Sequence, residues 1–82
     1  MRQMVNKYTA HAAARMRLRG ITKADIDRVL ETGDIRLDET ATKDQPKYLA
    51  VGTYRNTRRE IGVIFITDRL VRTIITVMFI DP

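Results

Sequence analysis

The run His11-Ala12-Ala13-Ala14-Arg15-Met16-Arg17-Leu18-Arg19-Gly20-Ile21-Thr22-Lys23-Ala24-Asp25-Ile26 carries the end of one helix, a corner and the start of another. Three consecutive alanines favour helix. Thr9 stands where an N-cap belongs, its hydroxyl free to accept from an otherwise unpaired backbone N–H. Gly20 suits the left-handed position that closes a helix. Thr22 with Asp25 three residues later is a variant of the capping box, and Ile21 before the cap can meet Ile26 as a hydrophobic staple. Ile26, Val29 and Leu30 then repeat at the i, i+3, i+4 spacing of a core-facing stripe, and Gly33 is placed to close it as Gly20 closes the first. The pattern predicts helices over Thr9–Arg19 and Thr22–Thr32.

Past Gly33 the period changes from helical to alternating. Ile35-Arg36-Leu37 is expected to be a short edge strand, and Asp38–Gln45, polar and acidic with Pro46 behind it, a loop. Lys47–Tyr54 and Glu60–Ile66 read as strands joined by a basic hairpin loop, Arg55–Arg59, and Thr67-Asp68-Arg69 as a turn. Val71–Ile80 is apolar on both faces, which suits an internal strand. Strict alternation puts Thr76 with Arg72, Ile74 and Met78 on one face of that strand, and Thr73 with Val71, Ile75 and Val77 on the other. The expected fold is α+β: one domain over residues 1–82, with two N-terminal helices on one face of a three- or four-stranded antiparallel sheet.

Length and composition narrow the function classes. The chain has 82 residues, 44% hydrophobic and 30% charged, which is globular composition. With no cysteine there is no disulfide scaffold and no thiolate zinc site, and one histidine cannot build a histidine-rich metal centre. Glycine-rich phosphate loops and nucleophile elbows are absent, and the carboxylates lack the clustering of a two-metal nuclease. No metal and no cofactor is therefore expected. Met1–Lys7 lacks the apolar core of a signal peptide, and Ile74–Ile80 is too short to span a bilayer. A cytoplasmic protein with no membrane association is expected.

The net charge of +5 is unevenly placed. Residues 1–20 and 46–82 are basic and residues 21–45 are acidic, so a positive face forms if the two basic regions meet in space. His11, Arg15 and Arg19 are spaced four apart and line one side of a helix. Histidine as a residue type titrates near pH 6.5 and can move a proton at neutral pH, while guanidinium groups hold phosphate in two-point contacts. The candidate catalytic set is His11, Arg15 and Arg19, with Lys47, Tyr48 and Thr76 as further donors from the sheet. Arg17, Arg55, Arg58, Arg59 and Arg72 are the candidate nucleic-acid contacts. Each residue also has an ordinary structural role open to it: threonine is a normal strand residue, tyrosine packs at strand ends, and a basic helix can be merely a solvated surface.

The run from His11 to Ile21, followed by Thr22-Lys23-Ala24-Asp25-Ile26 and the acidic segment after Gly33, resembles the bacterial domain of unknown function 4258 family. Lys47-Tyr48-Leu49 and Ile75-Thr76-Val77 look like that family's tyrosine-bearing and terminal threonine-bearing strands. The family resembles RelE/ParE-like and BrnT-type toxins, which implies helices against an antiparallel sheet and a toxin-like ribonuclease paired with an antitoxin. The chain departs from the toxin pattern in stopping at Asp81-Pro82 with no trailing helix, and in having only 6% aromatic residues to stack on bases.

Three functions stay open on this reading. The first is a metal-independent RNA endonuclease of toxin type, with RNA as substrate and an acidic antitoxin as partner. The second is a non-catalytic ParE-like toxin or regulatory module that binds protein or nucleic acid through a basic face. The third is an accessory protein whose basic helix is only surface. A chain this small also buries a modest core, so a homodimer interface is a further candidate.

Overall fold

The computed structural model describes residues 4–80. Its elements are β1 (Val5–Tyr8), α1 (Ala10–Arg19), α2 (Lys23–Thr32), β2 (Asp34–Leu37), β3 (Tyr48–Thr53), β4 (Glu60–Asp68) and β5 (Val71–Ile80). The reading of the Asp81-Pro82 end lies outside the described residues, as does the start of Met1–Lys7.

Local chemistry sets both helices. The Thr9 hydroxyl accepts from the Ala12 backbone N–H at 3.0 Å, and Gly20 closes α1 in the left-handed region at φ 68°. The Asp25 N–H donates to the Thr22 hydroxyl at 3.2 Å while the Thr22 N–H donates to the Asp25 carboxylate at 2.9 Å, so the capping box is complete. Ile21 and Ile26 are both buried in the same core. Gly33 differs from the expected left-handed closure: it sits at φ −82°, ψ 173°, because β2 begins at the next residue and the chain must already be extended. Its lack of a side chain serves close approach instead, since a Cβ there would collide with the Val51 carbonyl and lie 2.6 Å from the Val29 carbonyl.

The sheet has five strands in the order β1-β5-β4-β3-β2, not three or four. Four strands form an antiparallel array, but β1 pairs parallel to β5, with Val5 opposite Val71 and Tyr8 opposite Ile74. The sequence reading assigns no strand before Thr9. Val5-Asn6-Lys7-Tyr8 is four residues long, mostly polar, and becomes a strand only through a partner more than sixty residues away. β4 runs on to Asp68, so the tight turn falls at Arg69-Leu70, where Arg69 adopts φ 57°.

One irregularity re-aims side chains. Along β4 and β5 the pairing steps from Ile64–Thr76 to Phe65–Ile74, leaving Ile75 as an extra residue in β5. Parity therefore reverses at the bulge. Ile74 and Val77, three apart, are both fully buried, which unbroken alternation forbids. Thr76 consequently lies on the face opposite Arg72 and Ile74, correcting the assignment that strict alternation suggests.

The core joins Ala12 and Met16 of α1, Ile26, Val29 and Leu30 of α2, and Ala50, Ile61, Val63, Phe65, Ile74 and Val77 of the sheet. A Cβ at Gly52 would meet the Val29 side chain at 3.1 Å, so α2 lies directly on β3 at that glycine.

Candidate functional site

After Tyr8–Ile74, the last pair with β1, the outer edge of β5 has no strand neighbour. Helix α1 occupies that edge. The Thr9 N–H donates to the Ile74 carbonyl and the Thr9 hydroxyl to the Ile75 carbonyl, both at 3.1 Å. Nearly three turns after Thr9, at the far end of the helix, Arg19 donates from Nη1 to the Val77 carbonyl at 2.7 Å. Backbone acceptors that an edge strand would leave open are thus met by α1 itself. Thr76 sits between the two anchoring points.

His11, Arg15 and Arg19 follow one another by a turn each, so the row begun at Arg19 runs back toward Thr9 beside this edge. His11 is exposed and Arg15 half-buried, and among the described residues neither side chain makes a hydrogen bond or ion pair. Of the candidate catalytic set, the structure brings together His11, Arg15, Arg19 and the β5 segment bearing Thr76. It does not bring Tyr48 to them. Tyr48 pairs across to Phe65 on the helix-covered face and stacks on it, with ring centroids 5.5 Å apart, whereas Thr76 pairs with Ile64 on the other face. Lys47 immediately precedes β3, with β4 between it and β5, and its carbonyl accepts from the Asp38 N–H at 2.8 Å.

The two basic regions do meet at the α1–α2 corner. The Tyr54 hydroxyl donates to the Gly20 carbonyl at 3.3 Å, tying the β3–β4 hairpin to the end of α1. Arg55 donates to both Asp25 oxygens, at 3.2 and 3.3 Å. The Arg59 guanidinium lies 3.6 Å from the Phe79 ring centre, and Phe79 meets Tyr54 edge-on at 5.1 Å. Arg58 is exposed at the loop tip. Arg72 stands apart: it is eight residues from the hairpin end of β5, about 26 Å along a strand. There it donates to the Asn6 side-chain oxygen at 3.0 Å, and Asn6 in turn donates to Asp27. Arg17 lies about 120° around α1 from His11 and lines a different surface, a cleft between the helices.

Local electrostatics follow from these contacts. Partial burial pushes the Asp25 carboxyl up, but the hydrogen bonds from Arg55 and Thr22 outweigh it and hold the group below its ordinary range. Burial, with the Asp27 charge second, raises the Tyr8 phenol. Asp38 is lowered by the hydroxyl and N–H of Thr40.

Asp25, Tyr54 and Phe79 are the contributors that sequence reasoning missed. The adjacency of Tyr54 and Arg55 was a usable signal, but Phe79 and Asp25 are distant in sequence and only folding delivers them. Among the described residues, no three His, Asp or Glu side chains come together as a metal-binding group, and no helix is long and apolar enough to cross a membrane.

No curated protein and no solved structure matches the chain. The model of the family described as Domain of unknown function (DUF4258) matches residues 8–79, from the Tyr8 that ends β1 to the Phe79 beneath Arg59, and the chain belongs to that family.

Proposed function

We propose that the chain is a metal-independent RNA endonuclease of toxin type, akin to RelE/ParE-like and BrnT-type toxins. One observation carries this reading. Thr9 and Arg19 fasten α1 along the free edge of β5, which lines an exposed histidine and an uncommitted arginine beside a threonine-bearing strand. In the proposed reaction His11 moves a proton, as base from the ribose 2′-hydroxyl or as acid to the departing 5′-oxygen. The 2′-oxygen forms its bond to phosphorus as the bond to the 5′-oxygen breaks, giving a 2′,3′-cyclic phosphate. Arg15 holds the phosphate and offsets its developing charge, with the free N–H groups of Arg19 alongside, while the Thr76 hydroxyl, turned to the other face of β5, takes no part in this step. Arg58 and Arg59 extend the cationic surface for the rest of the strand.

A purified-protein cleavage assay on a defined single-stranded RNA, run with chelator, tests this. His11→Ala is expected to lower the rate about 10²–10⁴-fold while leaving the melting temperature unchanged. Lys43→Ala, which removes one positive charge from the loop after β2, controls for net charge. Full activity in His11→Ala, or loss of activity with chelator, would overturn the mechanism.

A second reading, a non-catalytic regulatory module or ParE-like toxin, is favoured by one specific feature: Tyr48 and Thr76 face opposite ways, while the cationic surface from α1 to the hairpin needs no chemistry to bind a polyanion. Salt-sensitive RNA binding without cleavage would select it. Under either reading the working partners are RNA and an acidic antitoxin, the expected location is the cytoplasm, and a homodimer is the expected way to cover more of the sheet.

A further inference from the structure

On the side of α1 turned away from His11 lies an open cleft of about 390 Å³. Ala13 and Met16 of α1 and Ile21 of the corner make its apolar floor, and Tyr8 of β1 closes one side. Two cations, Arg17 and Lys23, stand at its rim. The Lys23 ammonium lies 5.2 Å from the Tyr8 ring centre. Neither cation pairs with an acid; the ion pair among the described residues is Arg55 with Asp25. Asp27, whose charge reaches Tyr8, is engaged by the Asn6 amide at 3.0 Å.

We infer that this cleft is a docking site for an acidic amphipathic segment of a partner protein. The charge pattern selects the occupant. An apolar floor accepts an aliphatic or aromatic side chain, while unpaired cations on the rim favour carboxylates flanking it and repel a basic partner. A second copy of this chain, with net charge +5, would bring its own Arg17 and Lys23 toward the same rim. The site is separate from the proposed RNA edge, because Arg17 and His11 diverge by about 120° around α1. Docking therefore does not depend on the chain being a nuclease.

The chain contains no tryptophan, so a peptide can report its own burial. The probe is a synthetic amphipathic peptide with leucines and one tryptophan on one face and glutamates on both flanks, titrated with the whole chain and no RNA. A blue-shifted tryptophan and saturable binding are expected. The double variant Arg17→Glu/Lys23→Glu should lower affinity about tenfold or more and turn preference toward the same peptide with lysine for glutamate. Ala13→Leu, which fills the floor without changing charge, should also weaken binding while retaining the native melt. Equal affinity for the acidic and lysine peptides, indifference to both variants, or no binding of the acidic peptide overturns the proposal. So does a sedimenting dimer dissociated by Ala13→Leu, which would assign the cleft to a second copy.

Discussion

Arg19 Nη1 lies 2.7 Å from the Val77 carbonyl oxygen, and this bond fastens the last turn of α1 to the strand edge that β1 leaves uncovered. A charged donor on a half-buried carbonyl contributes more than a neutral one, and losing it leaves the carbonyl without its partner. Arg19→Ala is expected to cost about 1.5–3 kcal/mol of folding free energy, read from urea denaturation. Arg15→Ala, on the same row with no such bond, should stay within about 0.5 kcal/mol of the parent.

Asp25 makes stability depend on pH. Its folded carboxyl titrates below the ordinary aspartate range, because Arg55 and Thr22 bond the ionised form more than burial disfavours it. The depressed value means the contribution is fully present above the unfolded value, near pH 3.9, and is lost as pH falls through the folded one. The stability gap between the parent and Asp25→Asn should be constant from pH 5 to 7 and close at lower pH. A gap that persists unchanged at low pH would contradict the bonding described.

The β5 bulge predicts an unusual burial sequence. Ile74→Ala should cost about 2–5 kcal/mol, as a fully buried isoleucine does. Thr76→Ala, two residues on and half-buried on the other face, should cost about 1 kcal/mol or less. Val77→Ala should again be costly, and urea midpoints for the three variants will show whether 74 and 77 share the core.

Gly33→Ala is expected to destabilise by about 1–3 kcal/mol, since both groups its methyl meets, the Val51 and Val29 carbonyls, are backbone and cannot turn aside. Gly52→Ala should be milder, because there the neighbour is the Val29 side chain.

If the cationic surface binds RNA, log affinity should fall linearly with log salt, and Arg58→Ala should reduce that slope by about 1. Arg72→Ala, on the far end of β5 and held by Asn6, should leave the slope alone.

The sequence by itself determined the two helices and their ends. Thr9, Gly20 and the Thr22–Asp25 pair act within four residues of the backbone groups they satisfy, so their chemistry is legible without a fold. It also determined four strands: β3, β4 and β5, because their alternation or continuous apolarity records a buried face, and the short edge strand β2, because the period changes past Gly33. Tertiary structure alone decided the rest. Val5–Tyr8 is a strand because β5 offers a parallel edge, a pairing made across more than sixty residues that leaves no local pattern. Which way Thr76 points depends on one extra residue at Ile75, and a single-residue shift reverses every side chain beyond it. The candidate site has the same division. The spacing of His11, Arg15 and Arg19 is a property of the chain, but that Arg19 grips Val77, that Tyr54 meets Phe79, and that Tyr48 faces away from Thr76 are consequences of strand order and register, which contacts distant in sequence set.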